Sequence, residues 1–463
     1  MRGWLSAVVA LAVWTSLVPA WAAEIVISPA QVIEGDPVAI AITGLPAGAM
    51  ATLHAQSVAL TAEGKRRSFY AAATFKASNA GAIDLATAVP LSGSYARADI
   101  HGLFWSQRLV SEGSPEALAL ASLPLADVQE LVPHQVVLTL ESGGKALDRK
   151  TLTLVQSPDN VVRENVRADG LVGALYAAKG AGKRPVVVIL SGSEGGLSFA
   201  DWLGPKLAAH GFTAFGLAYF APPQSAIDGV PTALHRVPVE LIEKARAWLA
   251  TRPEADVARF GIVGGSKGGE FALVLAATYE WIDVAVAFVP ADVVWQGFQF
   301  RGGETGMGSS WTRGGVDLPF LPETGLHDEI MNGRKPGGEI RLARVRKAML
   351  AEATPEMLAA ARIPIERSHA ALLLAGGDDD QTSDSGASVR RAAETLHRAH
   401  YAHPLDVLVF PRAGHGIVGS GWTPTTTHNE GPFKDGGTAQ ADAEAQVEGW
   451  THMMAMLKRE LGE

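Results

Sequence analysis

From about Glu24 to Gln156 apolar and polar residues alternate in short runs, such as Val38-Ala39-Ile40-Ala41-Ile42, Ala51-Thr52-Leu53-His54-Ala55, Phe69-Tyr70-Ala71-Ala72 and Val136-Val137-Leu138-Thr139-Leu140. A period of two puts successive side chains on opposite faces of a strand. Between the runs lie Gly35-Asp36-Pro37, Gly44-Leu45-Pro46 and Ser142-Gly143-Gly144, which supply turns. The pattern predicts an all-β sandwich over residues 24–156. None of its residue groupings has the makings of a reactive centre.

Past Asn160 the rhythm changes. Val186 to Leu190 is a continuous β-branched run, as expected of a strand covered on both faces. A helical pattern from Trp202 to His210 follows, then the run Thr213 to Leu217 and an amphipathic stretch from Val239 to Ala250 that Pro253 ends. Phe260 to Val263 and Val284 to Val289 read as further buried strands, with a helix from Gly269 to Ala277 between them. Ala371 to Leu374 and Asp406 to Phe410 are two last strands, and a helix from about Ala439 to Leu461 closes the chain. Strands alternating with helices predict an α/β domain over residues 160–463, built on a mostly parallel sheet with helices on both faces. Within it residues 299–362 are Gly-rich and then charged, with helices near Glu339 to Met349 and Pro355 to Ala361. Such an insert is either a cap over a site or a surface excursion.

The turn between two of these elements carries the first chemistry. Gly264-Gly265-Ser266-Lys267-Gly268 falls where a buried strand runs straight into a helix. That context leaves the turn serine exposed above the sheet edge, and small flanking residues let the backbone bend; this is the nucleophile elbow of α/β-hydrolases. A serine hydroxyl needs a base to take its proton, and the base needs a third group to orient it. In this fold the order is serine, acid, histidine. The acid is expected after the Ala371 strand, in Gly376-Gly377-Asp378-Asp379-Asp380. Asp379 is chosen as third after the first glycine, with Asp378 next and Asp380 last. His415, in Ala413-Gly414-His415-Gly416 after the final strand, is the expected base. Oxyanion donors are expected from the Lys267 N–H and from the Ser193 or Glu194 N–H, in the loop after the Val186 strand.

Composition changes this picture little. With 47% hydrophobic and 19% charged residues the chain is ordinary for a folded protein, and a net charge of −9 argues against a nucleic-acid partner. Cysteine is absent, which excludes disulfides, thiolate metal sites and a cysteine nucleophile. His397, His400 and His403 lack a carboxylate partner and are assigned to a solvated helix end. The triad calls for no metal or cofactor. Residues 1–22 have the form of a cleaved secretory signal: Arg2, an apolar run from Leu5 to Val18, and Ala20-Trp21-Ala22. The apolar run is too short to span a bilayer, so a periplasmic or secreted location without stable membrane insertion is expected.

Further motifs carry a family resemblance. In the first half these are Asp36-Pro37-Val38 before Gly44-Leu45, and Pro90-Leu91-Ser92-Gly93-Ser94-Tyr95 before Gly102-Leu103-Phe104-Trp105. In the second they are Ala208-Ala209-His210-Gly211-Phe212, Ala218-Tyr219-Phe220, and a late Gly436-Gly437 followed by Ala445-Gln446-Val447 and Trp450. Together with the elbow, the Gly376 turn and Ala413-Gly414-His415, they resemble the acyl-CoA thioesterase and bile acid-CoA:amino acid N-acyltransferase family over nearly the whole mature chain. The resemblance implies an immunoglobulin-like domain before an α/β-hydrolase domain, a triad of Ser266, Asp379 and His415, and a small acyl thioester or ester as substrate. Members that pass the acyl group to an amino acid use a cysteine nucleophile, so a serine implies hydrolysis. Export motivates an alternative, a carboxylesterase or amide hydrolase using the same triad. A third reading is a non-catalytic binding protein on a relic hydrolase fold.

Overall fold

The computed structural model describes residues 23–61, 64–122, 125–180, 182–299 and 308–462. The signal expected over residues 1–22 lies outside these, as do residues 300–307 of the insert. Two β-sheets form the first part. One joins strands Glu24–Ser28, Ala39–Thr43 and Ile83–Asp84; the other orders Gln31–Ile33, Lys145–Val155, Gln135–Ser142, Met50–Leu60, Arg66–Lys76 and Ser92–Gly93. Their inward residues, among them Ile25, Ile40, Ile42, Leu53, Phe75, Leu138 and Leu152, make one core, as the alternation requires. Trp422 and Ala443, from the far end of the chain, complete it.

The second part is an eight-stranded sheet in the order Val161–Ala168, Leu171–Ala178, Thr213–Leu217, Arg184–Leu190, Ala255–Gly265, Val284–Phe288, Ala371–Gly377 and Leu405–Phe410. The first two pairings are antiparallel and the rest parallel. Val187, Val263, Val286 and Leu373 point to one face, packed under the helices Ser198–Ala209 and Ala439–Leu461. Val186, Val188, Ile262 and Leu374 point to the other, under Leu241–Leu249, Lys267–Thr278 and Ser385–Arg398. A sheet covered on both faces explains the unbroken apolar runs. The α/β-hydrolase class expected from the sequence is the one found.

The described part of the insert is built into the protein. Trp311 is fully buried, its ring parallel to that of Phe271 on the elbow helix at 4.2 Å between centroids.

A buried polar knot joins the two parts. Glu34, from the first sheet pair, accepts from Ser420 Oγ at 2.6 Å, Gln156 Nε2 at 2.6 Å and Trp202 Nε1 at 3.3 Å. Lys206 Nζ lies 3.5 Å from the same carboxylate. Burial works to raise the Glu34 carboxyl, but Lys206 and these donors hold it below the usual carboxylate value. Next to it, Gly35 has φ +101°, and a Cβ there would overlap the Trp450 ring. A Gly35→Ala chain should therefore lose about 1–3 kcal/mol through left-handed strain and overpacking. Denaturant unfolding of the full chain checks this; an unchanged midpoint would contradict the packing.

Candidate active site

The elbow forms where the Ala255–Gly265 strand ends against the Lys267–Thr278 helix. Ser266 stands at the join with φ 55° and ψ −119°, a strained conformation for a residue with a Cβ. Gly264 and Gly268 are required beside it: a Cβ on the first would strike the Gly268 carbonyl, and one on the second the carbonyls of Leu190 and Ser191.

His415 Nε2 is 3.0 Å from Ser266 Oγ. On its other side His415 Nδ1 is 2.9 Å from Oδ2 of Asp380, not of Asp379 as expected from the sequence. The sheet explains the correction. The Ala371 strand does not end before its glycines but continues through them, pairing Gly376 with Val409 and Gly377 with Phe410. Asp378 N–H still donates to Phe410 O, and Asp379 N–H to Ala413 O. The chain turns later than supposed, so the third aspartate is the one carried beneath the histidine. Asp378 and Asp379 are exposed, whereas Asp380 is 1% exposed. Asp378 pairs with Arg390, and Asp379 accepts from Gln381 Nε2 at 2.6 Å and Gly437 N–H at 3.0 Å.

The buried Asp380 is fully served. Oδ1 accepts N–H bonds from Thr382 at 2.8 Å and Ser383 at 2.9 Å; Oδ2 accepts Ser383 Oγ at 2.8 Å and Ser385 N–H at 3.3 Å. That run of Thr and Ser after Asp380 was the available sequence signal: hydroxyls and turn N–H groups are what a buried carboxylate needs. Burial alone would raise the Asp380 carboxyl, but the charge and hydrogen bond of His415, with Ser385 and Ser383, hold it well below the usual carboxylate range. Burial works against the imidazolium of His415, yet Asp380 and then Asp435 raise it above the ordinary value of 6.5.

The cleft over this set has a volume of about 240 Å³ and is lined by Gly192, Glu194, Phe199, Gly265, Ser266, Val289, His415, Gly416, Val418 and Asp435. The expected loop thus lies opposite the serine. A Cβ on Gly192 would stand 3.2 Å from Ser266 Cβ and 2.7 Å from Glu194 Oε2. Gly192 N–H donates to Glu194 Oε1 at 2.9 Å, and the Glu194 N–H also serves its own carboxylate. The carboxylate therefore occupies donors of the very loop expected to receive an oxyanion. Although Glu194 as a residue is exposed, the protein around its carboxyl raises it above the usual value, against the pull of these N–H groups and of His415. Ser193 is half-buried beside it and is not among the cleft-lining residues. Lys267 N–H stands at the first helical residue, where helix N–H groups have no intrahelical acceptor. Its side chain does not enter the cleft: Nζ donates to both Glu270 oxygens at 2.7 Å, buried behind the elbow. Asp435 and Glu270 were not anticipated from the sequence, since neither lies in a motif.

Residues 237–463 match the family model described as BAAT / Acyl-CoA thioester hydrolase C terminal, and residues 35–168 match Acyl-CoA thioester hydrolase/BAAT N-terminal region. The chain belongs to this family. Residues 171–299 of this BAAT-family chain also match the Dienelactone hydrolase family. Acyl-coenzyme A amino acid N-acyltransferase 1 of Mus musculus is 25% identical over 453 residues, covering 95% of this chain and 98% of its own. Acyl-coenzyme A thioesterase 1 of Homo sapiens is 27% identical over 462 residues, covering 95% and 97%. Acyl-coenzyme A thioesterase 5 of Mus musculus is 26% identical over 437 residues, covering 92% and 94%. The BAAT-family chain is an enzyme of the acyl-CoA thioester hydrolase type.

Two outcomes follow from the site. Asp380→Asn should lower kcat on the order of 10³–10⁴-fold while Asp379→Asn stays within a few-fold of the parent, measured by steady-state kinetics. A base must be neutral to act, and His415 holds its proton above its ordinary value. The kcat/KM profile of the parent should therefore fall with acid about a midpoint above 6.5. A midpoint below it would contradict the Asp380 pairing.

Proposed function

We propose that the enzyme hydrolyses acyl thioesters through an acyl-enzyme on Ser266. Ser266 Oγ attacks the acyl carbonyl while His415 Nε2 takes its proton. Asp380 steadies the imidazolium through Nδ1. The Lys267 N–H, with an N–H of the Gly192–Glu194 loop once the Glu194 carboxylate withdraws, receives the oxyanion. The thiolate leaves and takes the proton from His415. The imidazole, neutral again, then deprotonates a water that attacks the ester on Ser266, and returns that proton to Ser266 Oγ as the acid is released. The observation that carries this reading is the unbroken line from Ser266 Oγ through His415 to Asp380, at 3.0 and 2.9 Å, on a strained elbow.

The named relatives include both thioesterases and amino acid N-acyltransferases. The nucleophile supports water as acceptor. A thioester acyl-enzyme reacts readily with amines, whereas the oxygen ester that Ser266 forms does not, and the chain has no cysteine. A second reading, an esterase for uncharged substrates, draws on Glu194 and Asp435 in the cleft wall. Two carboxylates there repel a phosphate-bearing leaving group that approaches closely. We also propose export through residues 1–22, tested by fractionation and by the N-terminus of the mature chain.

Fluorophosphonate should label the parent and not Ser266→Ala; an unlabelled parent removes the covalent mechanism and favours a binding role. Kinetics on an acyl-CoA and on the p-nitrophenyl ester of the same acid separate the two substrate readings. Thioester kcat/KM at least about tenfold above that of the ester is expected, and turnover of the ester alone would sink the thioester reading.

A further inference from the structure

Behind the elbow, on the side away from the cleft, lies a group of buried charges that the chemistry above does not use. Lys267 Nζ, paired with Glu270, also donates to Ser310 Oγ at 2.9 Å. Glu270 Oε1 takes the Trp311 Nε1–H at 2.8 Å and the Trp295 N–H at 3.3 Å. Next to this pair stands a second one. Arg346, on the insert helix Leu342–Glu352, donates through Nε to Glu323 Oε1 at 2.8 Å. Arg346 and Glu323 are 7% and 4% exposed.

Arg346 does more than satisfy Glu323. Its Nη1 donates to the carbonyl of Thr382 at 3.1 Å, and its guanidinium carbon stands 5.7 Å from the centre of the Trp295 ring. Thr382 N–H is one of the donors to Asp380 Oδ1, so the guanidinium is one residue removed from the acid of the triad. Two more bonds fix the same stretch from the same helix: Ala343 N–H to Gln381 O at 2.9 Å, and Lys347 Nζ at 3.2 Å from Asp384 Oδ1.

A buried ion pair adds little net stability over a well-packed apolar pair, because desolvation offsets the attraction. What it does supply is fixed geometry: a planar fork with donors in set directions, one on Glu323 and one on the Thr382 carbonyl. We propose that Arg346 is a positioning residue, which the insert delivers to hold the loop 380–383 so that Asp380 meets His415. It acts through Asp380 and touches no substrate. The proposal rests on the reading of Ser266, His415 and Asp380 as the reacting set.

Charge gives the role a signature. His415 is surrounded by Asp380, Asp435, Glu194 and, further back, Arg346. Arg346 in turn faces Glu323, Glu270, Asp380 and Lys267. Its positive charge opposes the protonation of His415. Removing it lets His415 hold its proton to higher pH, while loosening Asp380 acts the other way, so the limb is read against a lysine variant that keeps the charge.

The test uses full-length Arg346→Met and Arg346→Lys with a p-nitrophenyl ester. In Arg346→Met, kcat should fall on the order of 10- to 100-fold with KM within about twofold, and the acid limb of kcat/KM should separate from that of Arg346→Lys. Arg346→Lys, which keeps the charge but not the fork, should leave the limb in place and recover part of kcat. Parental kcat and limb in Arg346→Met would overturn the proposal. So would an equal loss at every pH that lysine does not relieve. Should circular dichroism show Arg346→Met unfolded, Arg346→Lys decides: a loss of about threefold or more in kcat supports the role, and parental kcat refutes it. An unlabelled parent in the fluorophosphonate assay would instead refute the Ser266 reading, whatever the Arg346 variants do.

Discussion

A carboxylate sealed from solvent has to find all its compensation in the protein around it. Asp380 is that carboxylate here, and much of the architecture can be understood as what it requires. The last two parallel strands carry it beneath the histidine loop. A turn of Thr382, Ser383 and Ser385 fills its remaining lone pairs. The imidazole of His415 meets its Oδ2 through Nδ1, and in doing so is aimed at Ser266. The strain at Ser266 and the close approach of Gly264 and Gly268 complete the set from the end of the Ala255–Gly265 strand.

The same rule orders the volume behind the elbow. Lys267 and Arg346 face Glu270, Glu323 and Asp380, and protonation of His415 would balance the group. A cap that opened and closed would expose such ions repeatedly. The described part of the insert is instead anchored by Trp311 against Phe271 and contributes no residue to the cleft wall. Of the two readings of the insert left open by its composition, neither a cap over the cleft nor a mere excursion describes this part of it.

Where periodicity alone decides, the sequence was informative. The parallel strands are continuous apolar runs because both faces are covered, and the closing helix Ala439–Leu461 spans the range its pattern indicates. The antiparallel hairpin Val161–Ala178 was not anticipated, though Asp169-Gly170, both at positive φ, is a two-residue hairpin turn. The meeting of Ser266 with His415 was legible because each sits in a short motif with a local mechanical reason. Asp380 was misplaced by one residue, because where a strand stops depends on its neighbour's hydrogen bonds and not on its own glycines. Arg346, Glu323 and the fate of the Lys267 side chain were beyond reach, since their partners are brought together only by the fold.

The knot around Glu34 bears on how such a chain can arise and be altered. Ser420, which holds one Glu34 oxygen, lies a few residues beyond His415 on the segment that leaves the histidine loop. Lys206, fully enclosed, has Glu34 as its carboxylate partner, and Glu34 belongs to the opening sheets. A gene trimmed to its second half would encode a Lys206 without its carboxylate partner and a histidine segment missing one of its moorings. Recombination that exchanges the sandwich keeps Lys206 paired only when it brings an acid to the same spot.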